Sequence, residues 1–166
     1  MQYVIIGNGI AGVNAAEAIR RMDSAGRIVM IGDETFPPYC RPMISMVLEG
    51  SVPHAKLPIR PASFYDDWRI EPILGTRVTG MDADANRLDV DGRSVFYDRL
   101  LIATGADPRP IEARGLDLDH IFYMRTERQV QQMLAALPGA HRALVLGGGL
   151  VGFKAAYGLM RRGLVV

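Results

Sequence analysis

Apolar and polar positions change period several times along this chain, and each change marks an element. Tyr3-Val4-Ile5-Ile6 is a short apolar run, β-branched at its core, that leads straight into Gly7-Asn8-Gly9-Ile10-Ala11-Gly12. From there Ile10, Val13, Ala16, Ile19 and Met22 recur at helical spacing, which predicts a helix with one apolar face. Arg20 and Arg21 fall in its last turns, where cations suit the helix dipole, and Gly26 closes it. Residues 27–31 form a second apolar run. Strand, turn, helix and strand in that order predict a βαβ unit with a parallel pair.

Residues 33–61 read as a long connection punctuated by Pro37, Pro38, Pro42, Pro53, Pro58 and Pro61, with room for one short helix over 43–48. A second short helix is expected over 62–68, just after Pro61, and a third strand over 70–74. Phe64, Tyr65 and Trp68 stand at helical spacing and read as core; the adjacent Asp66 and Asp67 read as a solvated helix end. The pattern then turns to short strands over 77–81, 87–90 and 94–97, with Asp91-Gly92 as a hairpin turn. Leu100-Leu101-Ile102 resumes the unbroken apolar type, so 99–103 predicts a buried parallel strand. Asp107-Pro108-Arg109-Pro110 marks a boundary, and the order starts again. A helix is expected over 126–137 with Thr126 as its cap, then a strand over 143–146, a second glycine turn, a helix over 153–162 and the start of a strand at 164–166. A βαβ unit that reaches only its second strand implies that the chain is part of a longer protein.

Composition narrows the classes. Apolar residues are 49% and charged residues 22%, the balance of a globular protein rather than a disordered one. Net charge is +1 with the signs interspersed, so neither a nucleic acid nor a membrane surface is an expected partner. No apolar run approaches a membrane span, and the first residues lack the basic and apolar regions of a secretory signal. The single cysteine, Cys40, cannot pair within the chain, which points to a reducing, cytoplasmic setting. His54, His120 and His141 are scattered without ligand spacing, so no metal site is expected.

The first glycine turn carries the chemistry. It follows a strand, opens a helix, and Asp33 stands 21 residues beyond Gly12, the spacing of an acid that holds a ribose hydroxyl. Gly7 permits the tight turn, Gly9 presents no side chain to a pyrophosphate, and Gly12 lets helix and strand pack closely. The helix amides around Ile10 and Ala11 then face the phosphates. Gly147-Gly148-Gly149-Leu150-Val151-Gly152 repeats the arrangement 140 residues later. Two dinucleotide sites in one chain suggest hydride transfer between a nicotinamide and a flavin. No residue is singled out as catalytic, because the cofactors carry the reaction.

Further segments add a resemblance that runs along nearly all of the chain. They are Gly32-Asp33-Glu34, Pro38-Tyr39-Cys40-Arg41-Pro42-Met43-Ile44-Ser45, Gly75-Thr76-Arg77-Val78, and Tyr97-Asp98-Arg99-Leu100-Leu101-Ile102-Ala103-Thr104-Gly105 with Ala106 to Arg109 after it. The sequence resembles the pyridine nucleotide-disulfide oxidoreductases, flavoproteins with two dinucleotide-binding domains, and within them the NADH:rubredoxin reductases and the flavin-binding part of nitrite reductases. The resemblance implies an α/β fold. A Rossmann-like FAD-binding domain, three-layered with a parallel sheet and an antiparallel β insertion, would occupy 1–110. The first part of an NAD(P)H-binding Rossmann domain would occupy 111–166. It implies FAD at the first turn, with Asp33 and Glu34 at the adenosine ribose and Arg41 near the phosphate or ribityl region. Val78 would meet the adenine, and Ala103, Thr104 and Gly105 would line the pyrophosphate. NAD(P)H would sit at Gly147, Gly149, Leu150, Val151 and Gly152.

The implied function is electron transfer from NAD(P)H through FAD to a small redox protein such as rubredoxin or to a fused reductase domain; a homodimer is compatible with it. Two alternatives stay open: a coenzyme A-disulfide reductase or NADH oxidase working through Cys40, and a dinucleotide-binding fragment without catalysis. Two positions depart from the family. Met46 stands where ferredoxin reductases often carry lysine, which argues against those relatives. Lys154 stands where many members carry glutamate.

Overall fold

The computed structural model describes residues 1–166. In chain order its elements are β1 (Gln2–Ile6), α1 (Ile10–Met22), β2 (Arg27–Gly32), α2 (Ile44–Glu49), α3 (Phe64–Asp67), β3 (Ile70–Leu74), β4 (Val78–Asp82), β5 (Arg87–Val90), β6 (Arg93–Phe96), β7 (Arg99–Ile102), α4 (Glu127–Ala135) and α5 (Leu150–Arg161). They gather into two compact units. One comprises Met1–Tyr39 and Pro58–Ala106, the other Cys40–Leu57 and Asp107–Val166.

In the first unit a parallel sheet has the order β3-β2-β1-β7, with Val4 opposite both Val29 and Leu100. Alternation along β1 and β2 sorts the side chains onto two faces. Ile5, Ile28 and Met30 pack with Val13 and Ala16 of α1 and Phe64 of α3. Val4, Val29 and Ile31 pack with Leu88 and Val90 of β5, the middle strand of an antiparallel sheet β4-β5-β6. The unit is therefore three layers: helices, parallel sheet, antiparallel sheet. Each fully buried aliphatic side chain contributes on the order of 2 kcal/mol to holding the layers together. The hairpin between β5 and β6 turns at Asp91 (φ 48°) and Gly92 (φ 75°), as the two left-handed positions of a tight hairpin require.

The end of α1 is closed by Arg20 rather than by Gly26. Its guanidinium donates to the carbonyls of Asp23, Ser24 and Gly26 and, across the unit, to those of Trp68 and Arg69. Trp68 is half-buried on the helix side of the core, with the Arg21 guanidinium 5.2 Å from its ring centroid. Asp23 shapes the following turn. It accepts from the backbone of Gly26 (2.7 Å) and Ala25 (3.0 Å) and from the Tyr3 hydroxyl (3.1 Å). These donors, the Gly26 amide first, hold its carboxyl below the ordinary aspartate range. A carboxyl lowered in the folded state stabilises above its unfolded value, here 3.8, and that contribution is lost as pH falls through the folded one. Urea midpoints measured from about pH 5 down to about pH 3 are expected to fall less steeply for Asp23→Asn than for the parent; parallel curves would remove Asp23 as a source of acid lability.

Three expected strands differ. The 99–103 run does form a parallel strand, β7, but it is the sheet's edge, paired with β1 alone. Leu101 and Ile102 are consequently 37% and 59% exposed rather than buried. In the second unit, 143–146 and 164–166 do not form strands. One parallel bridge joins Arg142 to Val165, held by Ala143 N–H to the Val165 carbonyl and Val165 N–H to the His141 carbonyl. A single pair gives no ladder, and Leu144 and Leu146 are 94% and 76% exposed.

The second unit is otherwise helical. Thr126 caps α4 in a reciprocal box: Gln129 N–H donates to the Thr126 hydroxyl (3.2 Å), and Thr126 N–H to the Gln129 side chain (3.0 Å). α2 packs against α4 and α5 through buried Val47 and Leu48, with Val130, Met133, Ala155 and Leu159 also buried in this unit. No helix of the chain is long and apolar enough to cross a membrane.

Candidate functional site

The carboxyl ends of the parallel strands carry the first glycine turn. β1 stops at Ile6, and Gly7 turns the chain at φ 123°, its N–H bonded to the Ile31 carbonyl (2.7 Å). Beside it Ala103, just past β7, donates to the Ile6 carbonyl (2.7 Å). A side chain at Gly7 would overlap the Ala103 carbonyl, and one at Gly12 would overlap the Gly7 carbonyl. Gly9 differs: it caps α1 in an extended conformation, and a Cβ there would meet nothing within 4 Å. Two glycines therefore serve packing, and the third keeps open the space in front of the helix.

That space is electropositive. No side chain caps α1, and its first turn holds no carboxylate. The opening amides of a helix lack intrahelical acceptors, and the dipole adds partial positive charge to them. Ile10 and Ala11 are exposed at this end. The arrangement suits a pyrophosphate and requires no other side chain.

Two residues that spacing does not single out shape the turn. Asn8 accepts a hydrogen bond from the Tyr65 hydroxyl (2.9 Å). Burial pushes the Tyr65 phenol above its ordinary value, and the bond to Asn8 offsets this only in part, so it remains a neutral donor. Tyr65 reads as core from its spacing and does pack on the core; only tertiary structure reveals its polar tip.

At the next strand ends, Asp33 is exposed and Glu34 partly buried. The Tyr39 hydroxyl donates to Glu34 (2.7 Å). Gly75 N–H donates to the Glu34 carbonyl (3.3 Å) and Thr76 N–H to the Gly32 carbonyl (3.0 Å). These bonds tie the loop after β2 to the loop after β3, so Asp33 and Glu34 lie beside the segment leading to Val78. Thr104 and Gly105 follow Ala103 as exposed chain. Of the residues expected around the first dinucleotide, all except Arg41 thus belong to the first unit. Arg41 belongs to the second, where it donates to the Arg125 carbonyl (3.3 Å).

The second turn repeats the first. Gly147 has φ 117°, and a side chain at Gly152 would overlap the Gly147 carbonyl, as Gly12 would that of Gly7. Gly149 caps α5 in an extended conformation with no side-chain cap and no carboxylate in the first turn. Phe153 N–H bonds to the Gly149 carbonyl at 3.0 Å, matching Val13 to Gly9 at 3.0 Å. Leu150 and Val151 are exposed. A hollow of about 320 Å³ beside this turn is walled by Leu144, Val145, Phe153 and Val166. Its lining is apolar, so the amide face of the turn rather than the hollow is the part fitted to phosphates. Lys154 and Met46 are exposed, and Cys40 is half-buried with its N–H bonded to the Leu57 carbonyl (3.0 Å).

Known proteins resemble this chain along its whole length. Rhodocoxin reductase of Rhodococcus erythropolis is 35% identical over 168 residues, covering 100% of this chain and 39% of its own length. Rubredoxin-NAD(+) reductase of Pseudomonas putida is 33% identical over 171 residues, covering 100% of this chain and 44% of its own. The crystal structure of the ferredoxin reductase for the CYP199A2 system from Rhodopseudomonas palustris superposes with a TM-score of 0.89 at 31% identity, covering 98% of this chain and 41% of that one. The chain thus spans about 40% of the length of these relatives. Met46 does not argue against ferredoxin reductases, since one stands among the similar structures. The family model for pyridine nucleotide-disulphide oxidoreductases matches residues 1–166. With two glycine turns of one geometry set on an α/β scaffold, and with that match running from end to end, the chain belongs to the pyridine nucleotide-disulphide oxidoreductase family.

Proposed function

We propose that this chain supplies the two dinucleotide sites of an NAD(P)H-dependent flavoprotein reductase whose acceptor is a small redox protein such as rubredoxin or ferredoxin. The observation that carries the reading is the recurrence, at Gly147 and Gly152, of the contact made by Gly7 and Gly12. Two helix ends prepared in the same way take two pyrophosphates. The names of the relatives, reductases of rubredoxin and ferredoxin that use NAD(+), support nicotinamide as donor and a small redox protein as acceptor.

FAD held at the first glycine turn would supply the redox chemistry, as hydride acceptor for the nicotinamide and electron source for the acceptor protein. The protein binds and orients. Gly9 leaves room for the FAD pyrophosphate, and the amides at Ile10, Ala11 and Gly12 face it. Asp33 and Glu34 take the adenosine ribose, the backbone of Val78 the adenine, and Ala103, Thr104 and Gly105 the far side of the pyrophosphate, with Arg41 toward the phosphate or ribityl region. Gly147, Gly149, Leu150, Val151 and Gly152 hold NAD(P)H. In this reading 1–110 serves FAD and 111–166 serves the nicotinamide cofactor.

The test is a visible spectrum of the purified intact protein, followed by anaerobic titration with NADH or NADPH and then addition of oxidised rubredoxin or ferredoxin. Flavin bands that bleach with one nicotinamide and return with the acceptor are expected. A protein that takes up no FAD, or whose flavin neither nicotinamide reduces, would rule the reading out.

A further inference from the structure

The segment 40–57 follows the flavin-side loop in sequence but packs with the unit that carries the second glycine turn. It is held at three places. At its front, Arg41 donates to the Arg125 carbonyl (3.3 Å), next to the cap of α4. Near its end, the His54 ring nitrogen meets the Glu127 carboxylate of α4 at 2.6 Å. Between them, α2 lies on α5. A side chain at Gly158 would approach Leu48 Cγ to 3.2 Å, so α5 presents bare backbone where α2 sits closest.

The contact at the end of α2 is polar and directional. The last carbonyls of a helix lack intrahelical donors. Here Arg162, the cap residue of α5, supplies them: its Nε donates to the Leu48 carbonyl (2.6 Å) and its Nη2 to the Val47 carbonyl (3.1 Å). A planar guanidinium bonded twice fixes orientation as well as distance. The first turn of α2 is fixed to the residues before it by Ser45, whose buried hydroxyl donates to the Pro42 carbonyl (3.0 Å), and Met43 N–H reaches the Cys40 carbonyl (2.9 Å). One continuous path of contacts thus runs from the second glycine turn at the head of α5, along about 18 Å of helix, through Arg162 into α2, and on to Arg41.

We propose that Arg162 is a positioning residue that makes α2, and with it Arg41, respond to occupancy of the second glycine turn. This rests on the reading of that turn as the NAD(P)H site. A dinucleotide on the amides of α5 restrains the helix, and a restrained helix holds the α2 carbonyls through Arg162. Arg41 is thereby steadied when the reductant is bound. The coupling belongs to one compact unit and needs no change of fold.

The test is hydrogen exchange in the intact reductase with and without NADH, comparing peptides covering 148–153 and 41–49. In the parent, NADH is expected to slow exchange in both, by about tenfold at 41–49. In Arg162→Met, protection at 148–153 should persist while the response at 41–49 shrinks to less than about twofold. Arg162→Lys, which restores one donor and keeps the charge, should recover part of the response, and it serves if the methionine variant does not fold. Protection confined to 148–153 in the parent would overturn the coupling and leave the function standing. An undiminished response at 41–49 in both variants would overturn the role of Arg162. No NADH protection at 148–153 in the parent would overturn the cofactor reading and this inference together.

Discussion

Gly7→Ala is expected to destabilise the first unit by about 3 kcal/mol or more, whereas Gly9→Ala leaves it nearly as stable and weakens its hold on flavin about 100-fold. The two glycines are two residues apart and meet opposite surroundings. At Gly7 an alanine would adopt φ 123°, a region almost closed to side chains, and its methyl would overlap the Ala103 carbonyl, which is backbone and cannot swing away. Strain of this kind together with the overlap costs about 3 kcal/mol or more, a large share of a domain's stability. At Gly9 the backbone is extended and the added methyl has open space. The change at this cap costs within about 1 kcal/mol. The methyl does, however, enter the space in front of α1. A loss of about 100-fold in FAD affinity, close to 2.7 kcal/mol, is expected. Urea denaturation of the apoproteins and a flavin titration separate the two effects. A Gly9→Ala protein with parental affinity for FAD would take the pyrophosphate away from this helix end.

Arg60→Met is expected to destabilise the first unit by about 3 kcal/mol, well beyond the effect of Glu17→Gln. Glu17 stands on α1 with its side chain only 9% exposed, and Arg60 Nε reaches it at 2.6 Å from the segment before α3. Arg21 adds a looser contact at 3.4 Å. Removing Arg60 leaves the carboxylate, in a place water hardly reaches, with only the looser contact to Arg21. Removing the charge of Glu17 leaves Arg60, whose side chain is 27% exposed, able to recover hydration, and glutamine still accepts its hydrogen bond, so about 1 kcal/mol is expected. Replacing both by methionine should recover most of the stability, because the cost lies in a buried charge left poorly paired. Chemical denaturation of the three variants checks the order. Equal losses for the two single changes would show that water reaches Glu17 more freely than the structure indicates.

Periodicity and glycine chemistry make most of the first unit legible in the sequence alone. β1, α1, β2 and β3 fall where their patterns place them, because each is long enough to show its period and is bounded by glycine or proline. The hairpin at Asp91-Gly92 is equally clear, since few sequences tolerate two left-handed residues in succession. Burial is less clear. Leu100-Leu101-Ile102 has the composition of an interior strand, yet position at a sheet edge depends on which strands pair, and this is absent from local sequence. The runs at 143–146 and 164–166 show the same limit: strand-like composition does not ensure a ladder. Least legible is the allegiance of 40–57. Its prolines mark it as connection, and nothing in its pattern reveals that Val47 and Leu48 are buried in the unit that also buries Val130, Met133, Ala155 and Leu159. At the turn itself, spacing singles out the glycines and Asp33. It does not single out Tyr39 or Tyr65, whose hydroxyls reach Glu34 and Asn8 only through tertiary folding.

Trp68 is the only tryptophan in the sequence, and it belongs to the first unit, seated against the helix-side core under Arg21. Its fluorescence is therefore a spectroscopic label for that unit, while the second unit is silent at the same wavelengths. Far-ultraviolet circular dichroism reads both units, including α4 and α5. Where the two melting curves part company, the units lose structure at different temperatures; where they coincide, the chain melts as a single cooperative body.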